Sequence, residues 1–143
     1  ALDLSPDMLR IAKKKIDRDP RLKDVGVTIE ANAEDYDHEE FRTIGRPHVI
    51  SYAYALSMIP DWERSIRTSW AHLEPGGTLM ALDFGNFRSW PLAGFGLRPY
   101  LKLNHVRHFD APWVEVLRDL GAEVDHRPVN GHYSEITYAH KPA

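Results

Sequence analysis

The sequence predicts an α/β fold with a mostly parallel sheet, helices on both faces of the sheet and an antiparallel hairpin at the C-terminal end. Strand-like and helix-like segments alternate along the chain, which is typical of parallel strands joined by right-handed crossovers. Only a short turn at Asn130 and Gly131 separates the last two strand-like segments, which favours an antiparallel pair. The 143 residues are enough for one domain, residues 1–143, and contain no internal repeat.

The first two elements are a very short strand and a helix. Residues 1–4 form an apolar run interrupted by Asp3. Ser5 and Pro6 are residue types preferred at the N-cap and at the first helical position, and apolar residues follow at helical spacing up to Ile16. Because a strand of three or four residues has little reason to exist alone, we expect the natural protein to have more sequence upstream.

Apolar periodicity and turn signals predict the later elements. Residues 48–53 are apolar and favour a buried strand. Glu-Pro-Gly-Gly at residues 74–77 is a strong helix stop, and Asp110 is the expected N-cap of the last helix. The predicted segments are strands at 25–31, 48–53, 78–84, 123–129 and 133–140, helices at 61–73 and 110–120, a helical turn at 37–42, and an irregular insertion or lid at 86–109.

The composition excludes several functional classes. The formal net charge is -3, so no overall basic field is available for sequence-independent binding of nucleic acid. The chain has no cysteine, which excludes disulfides, thiolate zinc sites and a cysteine nucleophile. His105 and His108 have no carboxylate partner at a diagnostic spacing, so we predict no metal site. No apolar run approaches the roughly 20 residues that cross a bilayer, and we expect a cytoplasmic protein.

Polar residues follow the predicted strands, at the edge of the sheet where ligands of open parallel sheets bind. Asp3 ends the first strand and Asn32 follows the second. An acid at the first position can accept hydrogen bonds from two ribose hydroxyls, as in dinucleotide-binding folds, and a polar residue at the second can meet an adenine edge. Asp3 could equally be an acid at a helix start, and Asn32 could be a turn former.

The order of these motifs resembles the class I S-adenosylmethionine-dependent methyltransferases. ALDLSPDMLRIAK at residues 1–13 resembles their second strand and following helix, and ANAED at 31–35 their adenine-side loop. LEPGGTL at 73–79, leading to LDFG at 82–85, resembles their turn and fifth strand. The resemblance implies a Rossmann-like fold with S-adenosylmethionine as the cofactor. It also implies that the first strand and its Gly-rich loop would lie upstream of residue 1.

The same resemblance assigns cofactor contacts residue by residue. Asp3 would bind the ribose hydroxyls. The adenine would contact Leu4, Asn32 and Ala33, and the methyl donor would face Ser51 and Tyr52. The structural alternatives are an N-cap acid, a loop and a core strand.

A narrower resemblance bears on the methyl acceptor. SYAYALSMIPDW at residues 51–62 is similar to a segment of bacterial betaine-lipid and phosphatidylethanolamine N-methyltransferases. This implies methylation of a lipid head-group amine, with Tyr52 and Tyr54 as the catalytic candidates. Aromatic faces attract methylated cations, so these two residues and Tyr133 are candidates for a cation cage. They could also be ordinary strand aromatics.

Residues 87–103 mix aromatic, leucine and basic residues. This composition suits peripheral contact with a membrane surface, and a substrate lid packed on the core is the alternative.

Two other functions stay open at this point. The acceptor could be a small molecule or a quinone-type carbon, or the chain could be an inactive methyltransferase-like interaction module. A parallel sheet without its first strand has unpaired edges, so we also expect self-association through those edges.

Overall fold

The computed structural model describes residues 1–36 and 45–143. The helical turn predicted at 37–42 lies outside the described residues. The strands are β1 (Leu2–Asp3), β2 (Ile29–Glu30), β3 (Val49–Ala53), β4 (Thr78–Phe84), β5 (Glu123–Val129) and β6 (Ser134–His140). The helices are α1 (Pro6–Arg18), α2 (Trp62–His72), α3 (Pro91–Leu103) and α4 (Trp113–Asp119).

The strands of the described residues form two sheets. β1 and β2 pair in parallel, and the other four strands are in the order β3-β4-β6-β5. β3 and β4 are parallel, whereas β6 is antiparallel to both β4 and β5. The predicted fold class, a mixed α/β fold with an antiparallel hairpin at its end, is therefore confirmed.

Side-chain N-caps begin two of the helices, and the cap at Ser5 is the one that the sequence predicts. Ser5 is the N-cap of α1, its Oγ accepts a hydrogen bond from the backbone N–H of Met8 at 3.4 Å, and Pro6 occupies the first turn. Asp61 caps α2 through Arg64 N at 3.1 Å. The side-chain oxygens satisfy backbone donors that have no partner inside the helix.

The predicted N-cap of the last helix was wrong. α4 begins at Trp113 after Pro112, which has a φ of -61°, and Asp110 precedes both. Proline suits a helix start because its φ is already helical and its missing N–H would have no intrahelical partner.

The strand predicted at 25–31 is much shorter in the structure. Only Ile29 and Glu30 pair, with Leu2 and Asp3 of the two-residue strand β1, and Val25 N and Gly26 N donate to Leu22 O at 3.1 and 2.6 Å in a turn before them. Val27 is half exposed. Of the predicted strand, Val25 thus lies in a turn and residues 26–28 are in neither a strand nor a helix.

The insertion predicted as irregular contains a helix, α3. Pro91 starts this helix, and Gly94 packs so closely on Phe87 that a Cβ would lie 2.8 Å from the Phe87 Cβ. Leu101 joins Phe87 in a buried cluster that fastens α3 to the domain. The absence of a side chain at Gly94 thus allows α3 to pack on Phe87.

The main core lies between the four-stranded sheet and helices α2 and α4. Leu79 from β4, Ile66 from α2 and Trp113 from α4 are all fully buried. The indole N–H of Trp113 donates to Thr137 Oγ1 on β6 at 3.3 Å, so the polar atom of the largest core residue is satisfied. Within the described residues, no helix is long and apolar enough to cross a bilayer.

The predicted burial of β3 was only partly correct. Tyr52 is buried, but Val49 is 57% exposed, and Ser51 and Ala53 are also exposed. Among the described residues β3 pairs only with β4 and β1 only with β2. A cavity of about 360 Å³ is lined by both β1 and β3, so each strand has an unpaired edge.

We expect the 143-residue chain alone to self-associate through the β3 edge, because unpaired N–H and C=O groups template pairing with another chain. Sedimentation equilibrium should show a mass that rises with concentration, and Val49→Lys should reduce the association. Val25→Lys is the matched control, because Val25 is 75% exposed and belongs to no strand. A cooperative melt of a strictly monomeric chain would contradict the prediction.

Candidate functional site

The six residues predicted to contact the cofactor line two adjoining cavities. Four line the cavity beside β1 and β3: Asp3, Ala33, Ser51 and Tyr52. Three line a second cavity of about 350 Å³: Leu4, Asn32 and Ala33. Both cavities share three lining residues: Ala33, Ala55 and Ile59. The structure thus gathers all six residues around one connected region, and their roles stay predictions.

Asp3 is half-buried at the end of β1. Its Oδ1 accepts a hydrogen bond from Ser5 N at 2.8 Å, just before α1. Within residues 1–36 and 45–143, Oδ2 has no hydrogen-bond or ion-pair partner. One carboxylate oxygen is therefore fixed by the backbone while the other can accept a bond from a ligand.

The loop after β2 is fixed by hydrogen bonds within itself and to α2. Asn32 Oδ1 accepts from Glu34 N at 3.0 Å, and Glu34 Oε1 accepts from Asp61 N at 3.0 Å. Thr68 Oγ1 donates to Glu34 O at 3.3 Å. Glu34 therefore ties the loop that contains Asn32 to α2 at its N-cap, Asp61, and at Thr68 within the helix.

Tyr52 projects from β3 towards α2. Its hydroxyl lies 2.6 Å from Ser69 Oγ and donates to Ser65 O at 3.2 Å, while the Tyr36 hydroxyl donates to the same Ser69 Oγ at 2.8 Å. Burial raises the pKa of Tyr52 and of Tyr36, so both phenols stay protonated at neutral pH. Tyr52 thus lines the first cavity with its hydroxyl bound to a buried helix face.

Tyr54 directly follows β3 and belongs to a different environment from Tyr52. Its ring centroid lies 4.9 Å from that of Phe84, which in turn lies 6.1 Å from that of Tyr133. The Tyr54 hydroxyl lies 2.9 Å from Ser134 Oγ. We call Tyr54, Phe84 and Tyr133 the aromatic cluster. It brings together two of the three predicted cage tyrosines and leaves out Tyr52.

The backbone at Tyr54 adopts an unusual conformation. Its φ is +53°, in the left-handed region that non-glycine residues seldom occupy. Tyr54 N donates to Leu82 O at 2.7 Å, so the turn begins directly from the β3–β4 ladder. Such conformations concentrate at ligand-binding and catalytic positions.

A buried carboxyl group at the end of β4 holds the loop after β3. Asp83 Oδ1 accepts from Ser57 Oγ at 2.6 Å and from Phe84 N at 2.8 Å, and Oδ2 accepts from Ser57 N at 3.0 Å. Asp83 and Ser57 are both fully buried. Ser57 O also accepts from Arg107 N at 2.7 Å. Asp83 therefore fixes the segment between Tyr54 and α2.

Asp83 makes stability depend on pH in a defined direction. Burial raises the pKa of this carboxyl above its ordinary value of 3.8, although its hydrogen bonds act in the opposite direction. The folded pKa exceeds the unfolded one, so its stabilising effect is complete below about pH 3.8 and is lost as the pH rises through the folded pKa. The advantage in unfolding free energy over Asp83→Asn should therefore be largest in acid and decline as pH rises.

Urea unfolding at a series of pH values measures this difference. Asp7→Asn is the control, because Asp7 is exposed and pairs only with Arg10 among the described residues. An advantage over Asp83→Asn that grows with rising pH would show that the carboxylate form is the one the fold prefers.

Sequence reasoning assigned no role to three residues that organise the site. Asp83 and Phe84 lie at the end of the predicted strand at 78–84, and Ser69 lies in the predicted helix at 61–73. A signal for Asp83 was present, because an acid in an apolar strand must find partners when it is buried. No signal in the sequence indicated that Phe84 would join Tyr54 to Tyr133.

Among the described residues no group of three or more histidine, cysteine or acidic side chains could hold a metal ion. His105 and His108 lie instead near α3, where the His108 ring contacts Trp62 with centroids 5.7 Å apart.

Comparison with solved structures identifies the fold as that of methyltransferases. An O-methyltransferase family protein from Burkholderia thailandensis superposes with a TM-score of 0.71 at 22% identity, over 99% of this chain and 43% of that one. A SAM-dependent methyltransferase from Thermotoga maritima, described as a possible histamine N-methyltransferase, gives 0.70 at 14% identity, over 98% and 72%. The N-methyltransferase NodS from Bradyrhizobium japonicum WM9 gives 0.64 at 13%, over 99% and 72%.

The chain belongs to the ubiE/COQ5 methyltransferase family, whose sequence profile matches residues 1–100. The cofactor of this family is S-adenosylmethionine. A search of curated proteins found no match. The chain spans about half the length of the first structural relatives, 43% of one and 53% of another.

The residues around the two cavities suit this cofactor. A half-buried carboxylate with a free oxygen, Asp3, suits a ribose diol. The second cavity combines the amide of Asn32 with apolar surface from Leu4, Met58 and Ile59, which suits an adenine. Asp3, Leu4, Asn32 and Ala33 would hold the nucleoside, with Ser51 towards the methyl donor.

Proposed function

We propose that the protein is an S-adenosylmethionine-dependent N-methyltransferase that methylates the amine of a lipid head group. We further propose that it is cytoplasmic and meets its acceptor at the membrane surface. The aromatic cluster is the observation that carries the proposal. It lies at the carboxyl ends of β3 and β4, the edge of the sheet that also carries the predicted cofactor residues.

Methyl transfer to an amine requires alignment of the amine with the methyl group and exclusion of water, and it does not require a strong base. When bound, the cofactor supplies a sulfonium methyl group: the lone pair of a neutral amine forms the N–C bond while the electron pair of the broken C–S bond stays on sulfur. The amine proton then passes to solvent. The paired hydroxyls of Tyr54 and Ser134 offer an acceptor that can orient the amine N–H before transfer.

The aromatic cluster matters more as methylation proceeds. Each transfer first forms an ammonium cation, and each added methyl group removes an N–H that water could hydrate, until the last methylation leaves a permanent cation with no N–H. Aromatic faces attract such cations by about 0.5–2 kcal/mol. Tyr133 is 38% exposed and Tyr54 is half-buried, so the cluster has a side that a ligand can reach. This arrangement favours a nitrogen acceptor over an oxygen or carbon nucleophile.

In the test, the full-length protein is incubated with S-adenosylmethionine and one of two acceptors. One acceptor is an aminolipid in mixed micelles, and the other is a quinol. Mass spectrometry of the products decides between them. Methylated aminolipid supports the proposal, and methylation of the quinol alone contradicts it. Absence of cofactor binding in the full-length protein would favour the interaction module instead.

A further inference from the structure

Helix α3 turns an apolar face to solvent. Leu92, Phe95 and Leu103 are 90%, 86% and 81% exposed, and their spacing of three and eight residues places them on one face of the helix. The opposite face is buried through Gly94 and Leu101. We call Leu92, Phe95 and Leu103 the α3 apolar face. Exposed apolar patches of this kind mark interaction surfaces.

A cationic cavity borders this face. It has a volume of about 320 Å³ and is lined by Arg98, Lys102, Arg107, His108, Phe109, Asp110 and Pro112. Three cationic side chains thus meet one carboxylate, in a chain whose formal net charge is -3. In the part of the chain that the structure describes, none of the three cations forms an ion pair. Among the described residues that line it, the cavity therefore carries more positive than negative charge, with Asp110 as the single carboxylate.

Arg98 is fixed at the wall of this cavity. Its guanidinium carbon lies 6.0 Å from the centroid of the Phe87 ring and 5.6 Å from that of Phe109, and it donates to Asn86 O. Arg98 and Lys102 follow Phe95 by three and seven residues, so these three side chains share one flank of α3. The cations consequently border the apolar face along its length.

We infer that the cationic cavity binds the phosphate of an anionic phospholipid while the α3 apolar face enters the boundary between head groups and acyl chains. An exposed apolar helix face bordered by cations is the arrangement of helices that lie in a membrane interface. The inference rests on the proposed function, to which it adds the surface that meets the membrane. The charge pattern favours an anionic lipid over a symmetric contact between two copies through this surface, because such a contact would bring two sets of cations together.

The experiment is flotation of the full-length protein with vesicles, without cofactor or aminolipid. Vesicles of phosphatidylcholine alone are compared with vesicles that also contain phosphatidylglycerol. We expect binding at least about tenfold stronger to the anionic vesicles, since each basic residue near such a surface contributes on the order of a fivefold gain. Because the assay needs no methyl transfer, it can succeed where the proposed reaction fails, and the reverse also holds.

Two pairs of variants locate the surface. K102E combined with R107E should lower vesicle binding by about tenfold or more, while K14E, an exposed lysine on α1, should have little effect. F95S should also lower binding, and V25S is its control at another exposed apolar residue. Arg98 is left unchanged because it packs on two aromatic rings. Circular dichroism melts establish that each variant folds.

Three results would overturn the inference. Equal binding to neutral and anionic vesicles would remove the role of the cations. Binding of inorganic phosphate at the cavity without any vesicle binding would make it a site for a free anion. A dimer that F95S dissociates with no change in vesicle binding would assign the α3 apolar face to contact between copies.

Discussion

Replacing Asp3 with alanine in the full-length protein is expected to weaken S-adenosylmethionine binding by about 1.5–3 kcal/mol, roughly 10- to 150-fold, which is the scale of hydrogen bonds to a charged group. Asp3 lies at the end of β1, beside the cavity that β1 and β3 share. One of its oxygens is held by Ser5 N and the other is available to a ribose hydroxyl. Isothermal titration calorimetry measures the loss.

Asp3→Asn separates binding from local structure. The amide keeps an oxygen for Ser5 N and so preserves the turn into α1, but it loses the charge and the second acceptor. It should therefore bind the cofactor nearly as weakly as Asp3→Ala. Asp7→Ala removes a nearby exposed acid of the first turn of α1 and should leave affinity unchanged. Normal affinity in Asp3→Asn would reduce Asp3 to a helix-start residue.

Tyr54→Leu is expected to slow the later methylation steps by about 3- to 30-fold while affecting the first step less, because the ammonium formed in each later step has fewer N–H groups for water and depends more on an aromatic face. Leucine keeps apolar bulk but removes the aromatic face that contacts Phe84. Mono- and dimethylated lipid should then accumulate, as measured by mass spectrometry on an aminolipid. Tyr54→Phe keeps the face and loses only the hydroxyl contact with Ser134, so its effect should be milder.

Tyr52→Leu is the informative comparison. Sequence reasoning placed Tyr52 in the cage, whereas in the structure its hydroxyl bonds to Ser69 and Ser65 on α2. A packing role predicts equal slowing of all steps and a lower melting temperature. If partly methylated product accumulated in Tyr52→Leu and not in Tyr54→Leu, Tyr52 rather than Tyr54 would be the residue that contacts the methylated cation.

Sequence reasoning succeeded where local chemistry decides the structure. Ser5 and Pro6 start α1 because capping depends on neighbouring residues alone, and the hairpin at Asn130 and Gly131 follows from a turn that needs positive φ. The Leu2–Asp3 strand and the loop at Asn32 were correctly brought to one edge, since parallel topology places the carboxyl ends of strands together.

The sequence-based predictions failed where contacts between different elements of the fold determine the local structure. α3 contains a glycine, Gly94, because the Phe87 side chain, which lies outside the helix, occupies the space that a side chain at position 94 would fill. β2 is short because its partner β1 offers only two residues, Leu2 and Asp3. Tyr52 lies on β3 and Tyr54 directly follows it, yet the first faces α2 and the second has a left-handed backbone conformation. Periodicity alone does not contain these constraints.

The most direct test of the central claim, that the cavities beside β1, β3 and the Asn32 loop hold the cofactor, is a titration of the ¹⁵N-labelled full-length protein with S-adenosylmethionine. The account predicts that the backbone amides with the largest chemical-shift changes belong to Asp3, Asn32, Ala33 and Ser51, and that the amides of residues 98–112 change little. Saturable changes confined to residues 98–112, or no change at any concentration, would contradict it.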